Sequence, residues 1–230
     1  MAAAESGSPP ALPLLGRVAI VTGASRGSAA RSPPTSPPSA PTSAPRGGHH
    51  RIAVAIRAIA VRADVFKAVE VKALFDAAEA AFGGAAHILV SSAGVLDPKY
   101  PPLAATPEED WDATFAVNAK GVFLPRRRRR IINISSSVVG SLFPRFAAYA
   151  ASKAAVEAMT KVLAKELRGT GITANCVAPG REEDVKRAVD LVPLGRLGET
   201  EDIAPVVGFL ASDAGQWING QVVRVNGGYV

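Results

Sequence analysis

Short apolar runs alternate with longer amphipathic stretches along most of the chain, and this alternation constrains the fold more than any other feature. Five runs have the length and composition of buried strands: Arg17–Thr22, His87–Val90, Ile131–Ile134, Ile172–Val177 and Val222–Val225. Helical periodicity covers four stretches between them: residues 66–82, 107–124, 148–167 and 201–210. Because parallel strands need crossovers, the pattern predicts an α/β fold, a Rossmann-type doubly wound parallel sheet in a single domain.

Two helix starts carry recognisable capping signals. Thr106 precedes Pro107 and stands three residues before Glu109, a spacing typical of an N-cap with proline at the first helical position. Thr200 stands directly before the last amphipathic stretch. The sequence therefore predicts that Thr106 and Thr200 cap these two helices.

One segment interrupts the alternation at the first crossover. Ser28–His50 is rich in Pro, Ser and Ala, and prolines at that density exclude a helix or a central strand, so we expect disorder or a polyproline II-like loop. Ile52–Val61, which follows, is a further strand candidate. The second strand of the fold and its flanking helices are therefore expected to be missing or disordered. Residues 1–16 are small and Pro-rich and are interpreted as a flexible leader to a domain at 17–230.

Bulk composition bounds the class of protein. A chain of 230 residues that is 48% hydrophobic can bury one sizeable core, and no apolar run is long enough to span a membrane. The single cysteine, Cys176, lies in a strand candidate and is expected to be a buried thiol. His49-His50 has no Cys or carboxylate at ligand spacing, so no metal site is expected. Much of the net charge of +6 comes from Arg126–Arg130, interpreted as a solvated connection rather than a nucleic-acid surface.

Two motifs carry chemistry. Thr22–Gly27 reads Thr-Gly-x-x-x-Gly directly after a strand, which suits a tight turn whose backbone approaches a pyrophosphate. Tyr149 and Lys153, four residues apart, share one helix face, where an ammonium favours the phenolate form of the tyrosine. Ser136 and Ser137 lie thirteen and twelve residues upstream of Tyr149, at the end of a strand. A serine there can hydrogen-bond a substrate oxygen as charge develops on it.

With these motifs the chain resembles the short-chain dehydrogenase/reductase family, and within it the plant NADPH-dependent aldehyde reductase-like group. The matching pieces occur in family order: Thr22–Gly27, Asp64-Val65, Ala93-Gly94, Asn118 in Val-Asn-Ala-Lys-Gly, the serines 135–137, Tyr149–Lys153 and Pro179-Gly180. They cover nearly the whole chain outside the leader and Ser28–His50. The resemblance implies hydride transfer between a nicotinamide cofactor and a small carbonyl or alcohol substrate.

Residue roles follow from the resemblance. It implies that Tyr149 is the acid/base, that Lys153 binds the nicotinamide ribose, and that Asn118 holds a water that feeds protons to the lysine. Ser137 orients the carbonyl, although the family's commonest serine-to-tyrosine distance favours Ser136, and the choice stays open. The implied cofactor-binding set is Gly23, Ser25, Arg26, Gly27, Asp64, Val65, Ala93, Gly94, Tyr149, Lys153, Pro179 and Gly180. Arg26 resembles the basic residue near a 2′-phosphate and favours NADP(H) over NAD(H).

The chain departs from the family pattern in places that bear on function. No long helix can follow Gly27, and Pro125 shortens the helix carrying Asn118, which in the family makes half of a homo-oligomer interface. Pro179-Gly180 runs directly into an acidic segment, so the substrate-covering loop is missing, and Ser91 replaces the usual asparagine.

Three hypotheses follow from the matches and departures together. The first is an NADP(H)-dependent reductase of small aldehydes or ketones. The second is a catalytically impaired relative, from a defective gene prediction, that binds cofactor weakly or not at all. The third is a basic interaction protein that uses the arginine run, which is disfavoured. Cytoplasm and plastid both fit the leader, and no membrane partner is expected.

Overall fold

Parallel strands in chain order form the centre of the molecule. The computed structural model describes residues 14–24, 57–99, 101–123, 129–180 and 189–230. Within them lie five strands: β1 (Ala19–Thr22), β2 (Ile88–Ser91), β3 (Arg130–Ile134), β4 (Thr173–Pro179) and β5 (Val222–Val225). Each strand pairs in parallel with the next, in the order β1-β2-β3-β4-β5. All five therefore end at the same edge of the sheet.

Helices connect the strands. Their bounds are α1 (Ala68–Phe82), α2 (Glu108–Phe115), α3 (Gly121–Phe123), α4 (Val138–Ser141), α5 (Ala147–Glu166) and α6 (Thr200–Ala211). A π-helical turn, Ala116–Lys120, joins α2 to α3, and 3₁₀ turns lie at Leu103–Ala105 and Asp213–Gly215. Alternation of strand and helix thus follows the predicted order.

Both faces of the sheet are covered, since alternate residues of each strand point to opposite sides. On one face Val90, Ile132 and Val177 pack against α6, whose Leu210 is 1% exposed. On the other face the apolar residues pack under α1 and α5 in three clusters: Ile20 and Leu89 with Ala78; Cys176 with Val156; Ile131 and Ala174 with Ala164. The doubly wound α/β architecture predicted from the sequence is confirmed.

The single cysteine lies inside this core. Cys176 has no exposed surface, and burial raises the pKa of its thiol to about 11. An inert, packed thiol follows, as the sequence predicted.

Strand positions agree with the sequence to within two residues at each end, with one exception. Residues 57–61, the described part of the candidate Ile52–Val61, contain no strand, and that prediction is wrong for this part. The two halves of this run cannot pair with each other in parallel, because no crossover separates them. Residues 1–13, Ser28–His50 and residues 51–56 lie outside the described residues.

Both predicted helix caps are wrong. Helix α2 begins at Glu108 after Pro107, and the Thr106 hydroxyl donates instead to the carbonyl of Pro102 at 3.1 Å. Helix α6 begins at Thr200 itself and is capped by the preceding residue, Glu199. The Glu199 side chain accepts from the helix backbone, and the Asp202 carboxylate accepts from the Glu199 amide at 2.7 Å. This reciprocal pair satisfies two backbone donors that the helix itself leaves free.

The arginine run is not all solvated, contrary to the sequence interpretation. Arg130 begins β3 and is only 6% exposed. Its guanidinium donates to the carbonyls of Ser212 at 3.3 Å and Arg129 at 2.9 Å, and lies 3.5 Å from the Asp213 carboxylate. Arg17 donates to the Ala211 carbonyl at 3.0 Å. Two cations therefore occupy the negative end of the α6 dipole, which explains why Arg130 is buried.

Candidate active site

The turns that follow β1 and β2 are joined at the shared edge of the sheet. The Thr22 hydroxyl accepts from the amides of Ser92 and Ala93, at 3.2 Å each. Gly23 has φ +73°, and a Cβ added to it would lie 2.6 Å from the Ala93 Cα. Only glycine fits there, so the predicted residues Gly23 and Ala93 come together. Ser25, Arg26 and Gly27 lie outside the described residues.

Gly94 covers two buried polar side chains. It is exposed, and a Cβ at this position would lie 3.4 Å from both the Asn118 Oδ1 and the Lys153 Nζ. The structure thus brings three of the predicted site residues to one point. A patch of open main chain lies directly over an ammonium and an amide.

Asn118 is held by the backbone of the neighbouring turn. It has no exposed surface and lies in the π turn after α2. Its Oδ1 accepts from the Val95 amide at 2.8 Å, and its Nδ2 donates to the Val95 carbonyl at 2.9 Å. Single π turns inside helices occur frequently at functional sites, because the extra residue redirects a side chain.

Lys153 is a buried cation with one carbonyl partner. It is 4% exposed and donates to the Ile134 carbonyl, at the end of β3, at 2.9 Å. Burial lowers the pKa of its ammonium from 10.5 to about 8. Its Nζ lies 5.8 Å from the centroid of the Tyr149 ring, one turn earlier in α5. The i, i+4 spacing therefore places Tyr149 and Lys153 together, as predicted.

The two candidate serines differ in their surroundings. Ser137 is 3% exposed, and its hydroxyl lies against the end of β4, 3.5 Å from the Ala178 carbonyl. A Cβ added to Gly180 would lie 3.4 Å from the same hydroxyl. The Ser136 hydroxyl accepts from the amide of Val138, the first residue of α4, at 3.2 Å. Ser137 therefore meets the predicted Pro179-Gly180 turn, whereas Ser136 has a local structural bond.

Asp64 and Val65 lie on the Asn118 side of the site. Val65 is 9% exposed, and its Cγ2 lies 2.7 Å from where a Cβ of Gly121 would be, directly after the π turn. The Asp64 amide donates to the Glu70 carboxylate at 2.8 Å, and Lys67 lies 3.6 Å from the Asp64 carboxylate. These bonds fix the pair at the start of α1.

Comparison with known proteins identifies the family. A family model described as Enoyl-(Acyl carrier protein) reductase matches residues 43–230. The "NADPH-dependent aldehyde reductase-like protein, chloroplastic" of Arabidopsis thaliana is 47% identical over 270 aligned positions, covering 100% of both chains. The chain belongs to the short-chain dehydrogenase/reductase family. Membership makes it an oxidoreductase, as the sequence predicted.

Two further members of this dehydrogenase/reductase family support the assignment. The "Short-chain type dehydrogenase/reductase" of Picea abies is 49% identical over 252 positions, covering 94% of this chain and 93% of that one. The crystal structure of 3-ketoacyl-(acyl-carrier-protein) reductase from Brucella melitensis, complexed with NADH, superposes with a TM-score of 0.69. It is 31% identical and covers 74% of this chain and 77% of that one.

One contributor to the site was not predicted from the sequence. Ser152 has no exposed surface, and its hydroxyl accepts from Asn118 Nδ2 at 3.0 Å and donates to the Tyr149 carbonyl at 2.7 Å. Its place between Tyr149 and Lys153 in the short-chain dehydrogenase/reductase motif was the available signal. A serine in a helix ordinarily faces solvent or bonds within its own helix, and its link to Asn118 is a tertiary contact.

Other expectations concern absent features. Within the described residues, no helix is long and apolar enough to cross a membrane, and no three His, Cys, Asp or Glu side chains could together hold a metal ion. The helix after Asn118 is described to Phe123, and residues 124–128 lie outside the described part. The shortened subunit interface of this family member stays a prediction.

Proposed function

We propose that the chain reduces small aldehydes or ketones with NADPH, with Tyr149 as the proton donor. The observation that carries this proposal is the cluster beneath Gly94, where Lys153 and Asn118 meet in front of Tyr149. Two Arabidopsis relatives, one 47% and the other 42% identical, are named NADPH-dependent aldehyde reductases or reductase-like proteins. The Brucella structure contains NADH instead, so the preference for NADPH rests on the closer relatives and on Arg26.

The residues present fit a nicotinamide dinucleotide. Gly94 leaves open main chain above the Lys153 ammonium, where any larger residue would place its side chain. Gly23, Ala93 and Gly94 would lie along the cofactor, and Lys153 would meet its nicotinamide ribose. When bound, NADPH supplies the hydride that adds to the carbonyl carbon.

The chain's own groups then handle the proton. Tyr149 Oη gives its proton to the carbonyl oxygen as the new C–H bond forms, leaving an alcohol and a phenolate. The Lys153 ammonium stabilises that phenolate, and its pKa of about 8 lets it both hold and release a proton near neutral pH. Asn118 orders the water that returns a proton to Lys153. Ser137 donates to the carbonyl oxygen and orients it for attack.

The first experiment measures NADPH binding to the purified chain, with cofactor fluorescence or calorimetry as the readout. We expect micromolar binding and turnover with a panel of small aldehydes and ketones. Tyr149→Phe should keep cofactor binding and lower kcat by about 100-fold or more, because the donated proton is lost. Absence of binding at millimolar NADPH would instead support the hypothesis that this chain is a catalytically impaired member of the family.

A matched pair of variants tests the choice of serine. Ser137→Ala is expected to lower kcat by about 100-fold, the typical effect of removing one donor to a developing oxyanion. Ser136→Ala removes the local bond to the Val138 amide and should leave kcat unchanged. The reverse ranking in steady-state kinetics would assign the role to Ser136.

The proposal extends to a plastid location. Both Arabidopsis relatives carry the word chloroplastic in their names. A fluorescent fusion of the full chain, imaged in plant cells against a plastid marker, checks this. Uniform cytosolic fluorescence would reverse the assignment.

A further inference from the structure

The last five residues form a turn held by its own side chain. Asn226 is 7% exposed. Its Oδ1 accepts from the Gly228 amide at 3.1 Å, and its Nδ2 donates to the Val230 carbonyl at 3.2 Å. We call Asn226–Val230 the terminal turn. It is thus a folded element, and its contacts have a defined geometry.

The terminal turn contacts two segments that follow β4. The Asn226 Cβ lies 2.6 Å from the position that a Cβ of Gly180 would take, so the turn lies directly against the end of β4. The Gly227 carbonyl accepts from the Leu194 amide at 3.3 Å. A Cβ at Gly227 would lie 2.7 Å from the Val192 Cγ1. The turn therefore holds the chain on both sides of residues 181–188.

The same turn contacts the loop between Ser137 and Tyr149. The Val230 Cγ2 lies 2.9 Å from the place of a Gly140 Cβ. The ring of Tyr229 packs on Phe143 with centroids 6.1 Å apart, and Phe143 packs on Phe146 at 6.5 Å. Phe146 immediately precedes α5 and its first-turn tyrosine. An aromatic series therefore leads from the terminal turn to the start of the catalytic helix.

This loop needs external support because its backbone is strained. Leu142 has φ +48° and Arg145 has φ +76°, and neither is a glycine. Left-handed conformations of such residues persist only where surrounding contacts impose them. Phe143, which Tyr229 contacts, lies between these two positions in the sequence of the loop.

We propose that Tyr229 is a positioning residue for the reaction. Through Phe143 its ring holds the loop that spaces Ser137 from Tyr149, and so fixes where the substrate carbonyl lies between them. The inference rests on the proposed reductase function. It assigns the Tyr229 ring a part in substrate binding and none in cofactor binding, since that ring packs on Phe143, whereas the contact of the terminal turn with Gly180 is made by Asn226.

Kinetics of Tyr229→Ala test the proposal. We expect the KM for the carbonyl substrate to rise and kcat/KM to fall by about tenfold, with the NADPH Kd unchanged. Tyr229→Phe keeps the ring and should restore wild-type values. Trp217→Ala, which removes an aromatic ring that is 96% exposed, is the matched control and should change neither constant. Partial unfolding alone would reduce kcat and leave KM as it is.

A double-mutant cycle tests the path through Phe143. If Tyr229 acts through that ring, Phe143→Ala should raise KM by a similar factor, and the double variant should be no worse than either single one. Additive effects, or a KM for Tyr229→Ala equal to that of Trp217→Ala, overturn the proposal.

Hydrogen exchange provides a readout independent of activity. Tyr229→Ala should speed amide exchange in a peptide spanning 138–146, and Trp217→Ala should not. Unchanged exchange there overturns the inference even in a chain without turnover. Inactivity of the unsubstituted chain, with the exchange difference present, would reject the reductase function and leave the loop support standing.

Discussion

Asn118 Nδ2 donates a hydrogen bond of 3.0 Å to the Ser152 hydroxyl, which in turn donates to the Tyr149 carbonyl at 2.7 Å. Neither Asn118 nor Ser152 has exposed surface. One hydroxyl therefore joins the π turn after α2 to the first turn of α5. The proposed water-holding residue and the proposed proton donor are fixed relative to each other through it.

Removal of this hydroxyl is expected to weaken both stability and turnover. Ser152→Ala leaves one Asn118 N–H buried without a partner, which costs about 1–3 kcal/mol in the free energy of unfolding. The same change frees the π turn from the helix that carries Tyr149, so kcat should fall. Urea unfolding and steady-state kinetics on the same preparation measure the two effects.

Thr160→Val is the matched control for that variant. The Thr160 hydroxyl is buried in the same helix, accepts from Asn133 Nδ2 at 2.9 Å and donates to the Val156 carbonyl at 2.7 Å. Thr160→Val should lower the free energy of unfolding by a similar amount and leave kcat per folded molecule unchanged. An equal loss of kcat in both variants would show that Ser152 contributes stability alone.

The buried ammonium of Lys153 should make the free energy of unfolding vary with pH in the alkaline range. Its pKa falls from 10.5 to about 8 on folding because burial disfavours the charged form. Between these values the unfolded chain binds more protons, so the free energy of unfolding rises with pH from about 8 to 10.5. Below pH 8 the cost of burying the charged ammonium is fully present, and it lowers the free energy of unfolding by roughly 3 kcal/mol.

Lys153→Met tests the direction of this pH dependence. The variant should be more stable than the unsubstituted chain at pH 7, by about 2 kcal/mol once the lost bond to the Ile134 carbonyl is counted. That difference should shrink as pH rises through the stated window, as followed by urea unfolding. Lys161→Met removes an exposed lysine from the same helix and is the control. A difference that does not vary with pH would contradict the assignment.

The sheet could be predicted from the sequence because its signals are local. A strand buried on both faces, such as Ile88–Val90, is an unbroken apolar run, and the helices between such runs show their own period. The pairing of Tyr149 with Lys153 was predictable for the same reason, since four residues make about one helical turn. The position of Lys153 beneath Gly94 follows only once the strands are parallel and in order.

Contacts between distant segments could not be predicted in this way. Arg130 has the composition of a solvated charge, and its burial depends on carbonyls at residues 171 and 212, far along the chain. Thr106 fits the capping pattern, yet α2 begins at Glu108, one residue later than the pattern requires, and the Thr106 hydroxyl donates to the Pro102 carbonyl. Ser152 likewise acquires its role only when α2 and α5 come together.

Arg130 and Arg129 offer a direct comparison of a buried with an exposed arginine. Arg130→Ala removes a buried side chain and the donor to the Ser212 carbonyl at the end of α6, so we expect the free energy of unfolding to fall by about 2 kcal/mol. Arg129→Ala changes an exposed side chain and should alter stability by less than about 0.5 kcal/mol. Urea unfolding midpoints measure both. Equal effects would mean that the run is solvated throughout.

Gly23 and Gly83 have the same backbone φ, so a comparison of the two distinguishes the cost of backbone strain from the cost of close packing at the site. Gly23 and Gly83 both have φ +73°, but a Cβ at Gly83 meets nothing within 4 Å, whereas at Gly23 it lies 2.6 Å from the Ala93 Cα. Gly83→Ala should therefore cost only the left-handed strain, about 1 kcal/mol. Gly23→Ala must also push apart the turns that Thr22 joins.

We therefore expect Gly23→Ala to lose at least about 2 kcal/mol more than Gly83→Ala in urea unfolding. NADPH affinity should fall in Gly23→Ala alone, because the displaced turn carries Ala93 and places Gly94 over Lys153. Fluorescence titration of the folded fraction measures this. Unchanged affinity in Gly23→Ala would mean that cofactor binding does not depend on the joined turns, and the proposed site would have to be redrawn around β3 and β4.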